Sequence, residues 1–218
     1  MEIFMCSFMK KIIVNCLILL GIVCSERSFG QSLSAEVTGM ESFWAFSGSF
    51  NAKLSKTSKL SFSNTSRISS DYPGDEEMRM LMISNLGYAL NSKLKSTLGG
   101  MYTNSSGLKP SVGLQYMVAR KHFLWMVFPN LNISRKSDLM TISMVQYLRN
   151  ISEKMKFVLR MQSLSILNAE GHVFSTMRFR SGFIRGKYQF GAASDLNFFD
   201  HDFALAKSFG LFLQYQLF

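Results

Sequence analysis

The amino-acid sequence predicts an all-β protein, an antiparallel transmembrane β-barrel of twelve strands preceded by a signal peptide. Three observations predict this fold class. Apolar and polar residues alternate with period two along most of the chain, and short polar turns recur at a spacing that fits pairs of strands. The chain also closes with an amphipathic segment, residues 209–218, that ends in an aromatic residue.

The N-terminal segment has the features of a secretory signal peptide. The positive pair Lys10-Lys11 precedes an apolar run over residues 12–23, and a small-x-small sequence at residues 28–30 is typical of a cleavage site. We therefore divide the chain into a signal peptide, residues 1–30, and an outer-membrane β-barrel, residues 31–218. All three cysteines lie in the signal peptide, which excludes disulfides, thiolate metal sites and cysteine nucleophiles from the mature chain.

Alternation with period two is clearest in residues 44–54, 154–162, 173–183 and 187–198. In each of these segments large apolar side chains lie on one side, while lysine, arginine, serine or asparagine side chains lie on the other. The C-terminal strand repeats the pattern, with leucine and aromatic residues opposite glycine and glutamine. This arrangement predicts strands that are apolar toward lipid and polar toward a lumen.

Polar turns rich in serine, asparagine, lysine and arginine separate the strands. They start at residues 55, 91, 119, 149 and 185, as expected if two spanning strands and one opposite connection lie between successive turns. Five such turns with a first and a last strand predict twelve strands. The first strand, residues 33–40, alternates poorly, and the alternative count is ten if that strand and its partner are absent.

A soluble or surface-attached β-sandwich is the alternative for an alternating all-β chain. A soluble sheet keeps its charged face toward water and its apolar face toward a sealed core. Here the apolar side of nearly every strand carries large residues with almost no charge, and lysine and arginine gather on the other side. A lipid-facing belt around a polar lumen explains this distribution better.

The chain resembles the uncharacterised outer-membrane β-barrel proteins of Bacteroidota-type bacteria. The resemblance rests on the leader that ends before Gln31, on hairpins such as residues 88–94, and on the terminal strand over residues 211–218. It covers essentially the whole mature chain. It implies a location in the bacterial outer membrane, with outer-membrane lipid, lipopolysaccharide and the barrel-assembly machinery as partners.

Basic residues dominate the predicted lumen of this chain, which has a formal net charge of +10 at pH 7. Arg178 and Arg180 share one strand face, a spacing that suits a clamp for phosphate or carboxylate. Two interpretations remain open: a pathway for small anions, and a plugged lumen in which the arginines pair with Asp195, Asn197 and loop acids. The candidates for anion binding in the lumen are Arg79, Lys156, Arg160, Arg178 and Arg180.

The sequence therefore predicts a non-enzymatic outer-membrane barrel, porin-like or structural, whose basic lumen admits or binds small anions. The alternative is an outer-membrane rim hydrolase of the phospholipase or protease type. It would use the loop Asp200-His201-Asp202, in which an imidazole lies between two carboxylates. No partner dyad or serine motif accompanies this loop. We therefore favour the non-enzymatic barrel, for which no catalytic residue is predicted.

No cofactor, metal site or nucleic-acid partner is predicted. The chain lacks a phosphate-binding loop, a dinucleotide fingerprint and the ligand spacing of a zinc site. The acidic loop over residues 71–77 lacks the regular aspartate spacing of a dedicated calcium site. Small anionic solutes are the one class of soluble ligand that the composition favours.

Overall fold

The computed structural model describes residues 31–72, 78–134, 137–199 and 204–217. No helix among these residues is long and apolar enough to cross a membrane. The predicted count of twelve strands is confirmed, including the weakly alternating first strand, while the predicted signal peptide lies outside the described residues. The strands are β1 (Ser32–Met40), β2 (Phe43–Lys53), β3 (Leu60–Asp71), β4 (Arg79–Ala89), β5 (Leu94–Thr103), β6 (Gly107–Ala119), β7 (Phe123–Asn132), β8 (Asp138–Asn150), β9 (Met155–Asn168), β10 (Gly171–Arg185), β11 (Tyr188–Phe199) and β12 (Ala204–Gln216).

The twelve strands form one closed antiparallel barrel in which each strand pairs with its neighbours in the chain. The barrel closes between β1 and β12, whose register runs from Ser34 opposite Gln216 to Met40 opposite Gly210. Closure pairs the backbone groups of the first strand with those of the last. Because lipid offers no hydrogen-bonding partner, closure is what a sheet needs in order to span a bilayer.

The five polar turns predicted from the sequence all lie at one end of the barrel, which we call the near rim. The tightest of them joins β10 to β11 through two residues, 186–187, and Gly186 adopts a φ of 60° there. A two-residue hairpin of this kind requires a positive φ, which glycine adopts without strain. The opposite end, the far rim, carries the remaining described connections, such as residues 41–42, 104–106 and 169–170.

The outward face is apolar, as the alternation predicts. Leu98, Leu108 and Leu211 expose 63%, 71% and 71% of their surface on this face. At the near rim, the rings of Tyr188 and Tyr215 pack with centroids 5.0 Å apart, where an aromatic girdle would meet the membrane interface. The outward face therefore has the composition of a lipid-facing belt.

The inward face is only partly polar, which the sequence patterns did not predict. Two apolar clusters occupy inward positions, and both extend toward the far rim. In one of them Met40 ends β1 and Phe43 begins β2; in the other, Met101 lies near the end of β5 and Met140 near the start of β8. Met40, Phe43, Ala45, Ala193 and Phe212 form one cluster, and Ile83, Met101, Phe128, Met140, Ile142 and Leu164 form the other. The lumen is therefore narrowed by packed side chains as well as by charged ones.

Candidate functional site in the lumen

Six charged side chains from five strands meet inside the barrel, and we call this group the charged layer. All six lie on inward positions, because strand pairing places each beside other lumen-facing residues. Four of them lie on the consecutive strands β9, β10 and β11, and closure of the barrel brings Glu36 and Arg67 from the N-terminal strands to this group. The members are Glu36 on β1, Arg67 on β3, Arg160 on β9, Arg178 and Arg180 on β10, and Asp195 on β11.

Arg180 is the most buried arginine of the layer, with 2% of its side chain exposed. Its Nε donates to Glu36 Oε1 at 3.0 Å, and its Nη1 donates to Asp195 Oδ1 at 2.7 Å. The same Nη1 also reaches the carbonyl oxygen of Phe179 at 3.0 Å. A buried guanidinium is tolerated when its charge is paired and hydrogen-bonded, and Arg180 is bonded to both carboxylates of the charged layer.

Two further ion pairs join strands that are not neighbours. Arg67 Nη2 lies 3.0 Å from Asp195 Oδ2, and Arg160 Nη2 pairs with Glu36 Oε2. In the first pair β3 and β11 are four positions apart around the barrel, and the same holds for β9 and β1 in the second. The two pairs therefore cross part of the lumen and narrow it. Arg160 Nη1 also donates to Gln214 Oε1 at 2.9 Å.

Arg178 differs from the other three arginines in that all of its donors are unused within the described residues. Its nearest carboxylate oxygen, Asp195 Oδ2, is 4.0 Å from Nε, and it makes no hydrogen bond within the described part of the chain. Its side chain is 19% exposed and lines a cavity in the lumen. Since four guanidinium groups face two carboxylates, the charged layer carries two positive charges in excess. Arg178 is the side chain best placed to present that excess to a ligand.

The cavity beside the charged layer has a volume of about 250 Å³ and two chemically different walls. One wall, on β2 and β3, is polar and consists of serine, threonine and asparagine side chains such as Ser49, Asn51 and Thr65. The other wall, on β4 to β9, is mainly apolar and includes Phe128 and Met144. Four polar side chains interrupt it, those of Asn85, Thr97, Gln115 and Gln162. Aromatic rings also border the charged layer, since Arg67 and Arg180 each lie 5.9 Å from a ring centroid, that of Phe43 and Phe212 respectively.

The structure brings together three of the five residues proposed from the sequence as anion ligands. Arg160, Arg178 and Arg180 belong to the charged layer. Arg79 begins β4 at the far rim, where it pairs with Asp71 and is 57% exposed, and Lys156 is exposed near the near rim. The loop Asp200-His201-Asp202, on which the hydrolase alternative depends, lies outside the described residues.

Sequence reasoning missed Glu36, which binds two of the arginines. A weak signal was present, because Ser34, Glu36 and Thr38 alternate with Leu33, Ala35, Val37 and Gly39 on β1. It also missed an inward ion pair outside the charged layer, toward the far rim, where Lys109 Nζ lies 2.6 Å from Asp138 Oδ2. Asn132 donates to the same carboxylate. Each pair joins strands that the sequence alone does not place in contact.

Comparison with solved structures identifies the fold. No protein-family model matches the chain, and no curated protein matches it. The structure of NanC porin superposes with a TM-score of 0.50 and 11% sequence identity, covering 84% of this chain and 98% of that one. The chain has the fold of an outer-membrane porin. KdgM porin in complex with disordered oligogalacturonate is a further match, with a TM-score of 0.49 and 8% identity over 84% of this chain and 98% of that one.

Proposed function

We propose that this protein is a non-enzymatic, porin-like barrel of the bacterial outer membrane that passes small anionic solutes and binds them at Arg178. The observation that carries the proposal is the excess of two positive charges in the charged layer, next to a cavity lined by Arg178. Fixed cations at a narrow point of a lumen raise the local concentration of anions and lower that of cations. A guanidinium with unused donors also suits carboxylate or phosphate, which it binds through two parallel hydrogen bonds.

Ion selectivity in planar bilayers tests this proposal. The purified mature protein is first checked for heat-modifiable gel mobility, and reversal potentials are then measured across a potassium chloride gradient. We expect the reversal potential of the native protein to indicate a preference for chloride. We expect Arg178→Gln to reduce that preference, because it removes half of the positive excess at the charged layer.

A matched control is Lys207→Gln, which removes one positive charge from the outward face, where Lys207 pairs with Leu196. We expect this variant to keep the selectivity of the native protein. Cation preference, or equal effects of the two substitutions, would contradict a role for Arg178. A folded barrel that conducts no ions would contradict transport and would favour a structural role.

The proposal also covers the export of the protein, its insertion into the membrane and the lipids around it. The signal peptide is cleaved before Gln31, the barrel-assembly machinery inserts the barrel, and its outward face contacts outer-membrane lipid and lipopolysaccharide. The resemblance to barrels of Bacteroidota-type bacteria supports this placement, and N-terminal sequencing of the membrane-extracted protein tests the cleavage site.

A further inference from the structure

We infer that the preferred ligand of the lumen cavity is an amphipathic anion, an organic acid with one carboxylate and a compact apolar body. This inference rests on the proposed anion-binding function and names the class of ligand for that site. Its basis is the apolar wall, because the interior of a membrane barrel is ordinarily polar. The wall is formed by Ile83, Met126, Phe128, Ile142, Met144 and Leu164, all of which line the cavity.

Strand register places the nearest residue of the apolar wall two strands from Arg178, with Gln162 between them. Arg178 on β10 pairs with Gln162 on β9, Gln162 pairs with Met144 on β8, and Met144 pairs with Met126 on β7. The four side chains therefore form one inward row across the sheet. Since neighbouring strands lie about 4.8 Å apart, the backbone of Met144 lies about 10 Å from that of Arg178. A small acid held by Arg178 would extend its body over Gln162 onto Met144.

The polar wall lies on a different side of the cavity. Its serine, threonine and asparagine residues are on β2 and β3, whereas the strands that flank Arg178 are β9 and β11. Part of this wall is also already hydrogen-bonded, since the hydroxyl group of Ser49 lies 2.8 Å from that of Ser34 on β1. A sugar acid bound through its carboxylate to Arg178 would therefore bring most of its hydroxyl groups against the apolar wall, where the amides of Gln115 and Gln162 are the nearest polar partners.

The size of the cavity suits an acid with a single ring. Its volume of about 250 Å³ exceeds that of the apolar cavities of about 150 Å³ that take up benzene in other proteins. Methionine contributes two residues of the apolar wall. Its flexible thioether adapts to ligands of different shape and makes favourable contacts with aromatic rings. Aromatic carboxylates are therefore suitable probes.

The test compares phenylacetate with galacturonate, two acids of equal charge that differ in the polarity of the body. Binding to the full mature barrel in lipid nanodiscs is measured by calorimetry, with empty nanodiscs as the reference for partition into lipid. We expect phenylacetate to bind about tenfold more tightly, because only its ring gains from burial against the apolar wall. Galacturonate binding as tightly as phenylacetate, or more tightly, would overturn the inference.

Three variants separate this inference from the proposed function. Met144→Gln should weaken phenylacetate several-fold and leave galacturonate unchanged, whereas Arg178→Gln should weaken both acids. Met117→Gln is the matched control, since Met117 pairs with Met126 on the inward face but does not line the cavity. An effect of Met144→Gln equal to that of Met117→Gln would refute the role of the apolar wall. If neither acid binds but chloride preference persists, the inference fails and the proposed function stands; if chloride preference is absent too, both fail.

Discussion

Arg178 and Arg180 lie two residues apart on β10 and point into the same lumen, yet they have different tasks. Arg180 is buried and bonded to both carboxylates of the charged layer, whereas Arg178 is part-exposed and 4.0 Å from its nearest carboxylate. The sequence predicted correctly that both face inward, because alternation fixes the face. It could not distinguish them, since the partner Glu36 lies 144 residues away from Arg180 and meets it only in the closed barrel.

This difference predicts unequal effects on stability. Arg180→Gln leaves Glu36 and Asp195 each short of a buried partner, and loss of one member of a buried pair costs about 3–5 kcal/mol. Arg178→Gln removes no hydrogen bond, only a contact of 4.0 Å with Asp195, and should therefore cost less than Arg180→Gln. Urea unfolding of the barrel in lipid vesicles, followed by tryptophan fluorescence, measures both changes. Equal loss of stability in the two variants would show that Arg178 is as important to the packed layer as Arg180.

Individual strands show why the first element was the hardest to predict. On β1 the outward residues are Leu33, Ala35, Val37 and Gly39, so its apolar face is too small to produce a clear pattern. Its position is secured instead by pairing with β12 on one side and β2 on the other. Longer strands such as β10 carry large outward residues and were recognised directly. The strength of the sequence signal thus follows the size of the lipid-facing side chains.

The backbones of β10 and β11 approach each other closely at Gly182, and this contact predicts the effect of an added side chain. Gly182 faces Gly191 across the pair, and a Cβ atom on Gly182 would come within 2.0 Å of the carbonyl oxygen of Phe190 and 2.8 Å of Gly191 Cα. Both obstacles are backbone, so Gly182→Ala requires the strands to shift and should cost about 1–3 kcal/mol.

The matched control is Gly39→Ala on β1, where the nearest atom to an added Cβ is Tyr72 Oη at 3.8 Å, an ordinary contact. We expect this control to leave stability unchanged or slightly raised, because alanine restricts the unfolded chain. The temperature at which gel mobility changes from folded to unfolded, measured on both variants, checks the comparison. A similar decrease of this temperature in both variants would show that β10 and β11 can move apart at little cost in stability.

At the scale of the whole molecule, the sequence predicted the barrel and its strand number, and it left open whether the lumen is a pathway or is plugged by arginines that pair with Asp195. Strand count follows from turns and alternation, which are local. The lumen contents depend on contacts across the closed barrel, such as Arg67 with Asp195, which are 128 residues apart. Twelve strands enclose a wider interior than the eight-stranded barrels that side chains fill completely. The charged layer and the two apolar clusters therefore decide how much of that interior is open.

The ion pairs that cross the lumen predict two opposite changes in one variant. Replacing Arg67 and Arg160 by serine removes both crossings, while Arg180 still pairs with Glu36 and Asp195. Single-channel conductance should rise because the lumen widens, and preference for anions should fall because two arginines then face two carboxylates. The control replaces Lys53 and Lys156, two exposed lysines close to the near rim, by serine. It removes the same charge but leaves the ion pairs of the charged layer in place. If the arginine variant keeps the native conductance, the apolar clusters rather than the charged layer limit passage through this barrel.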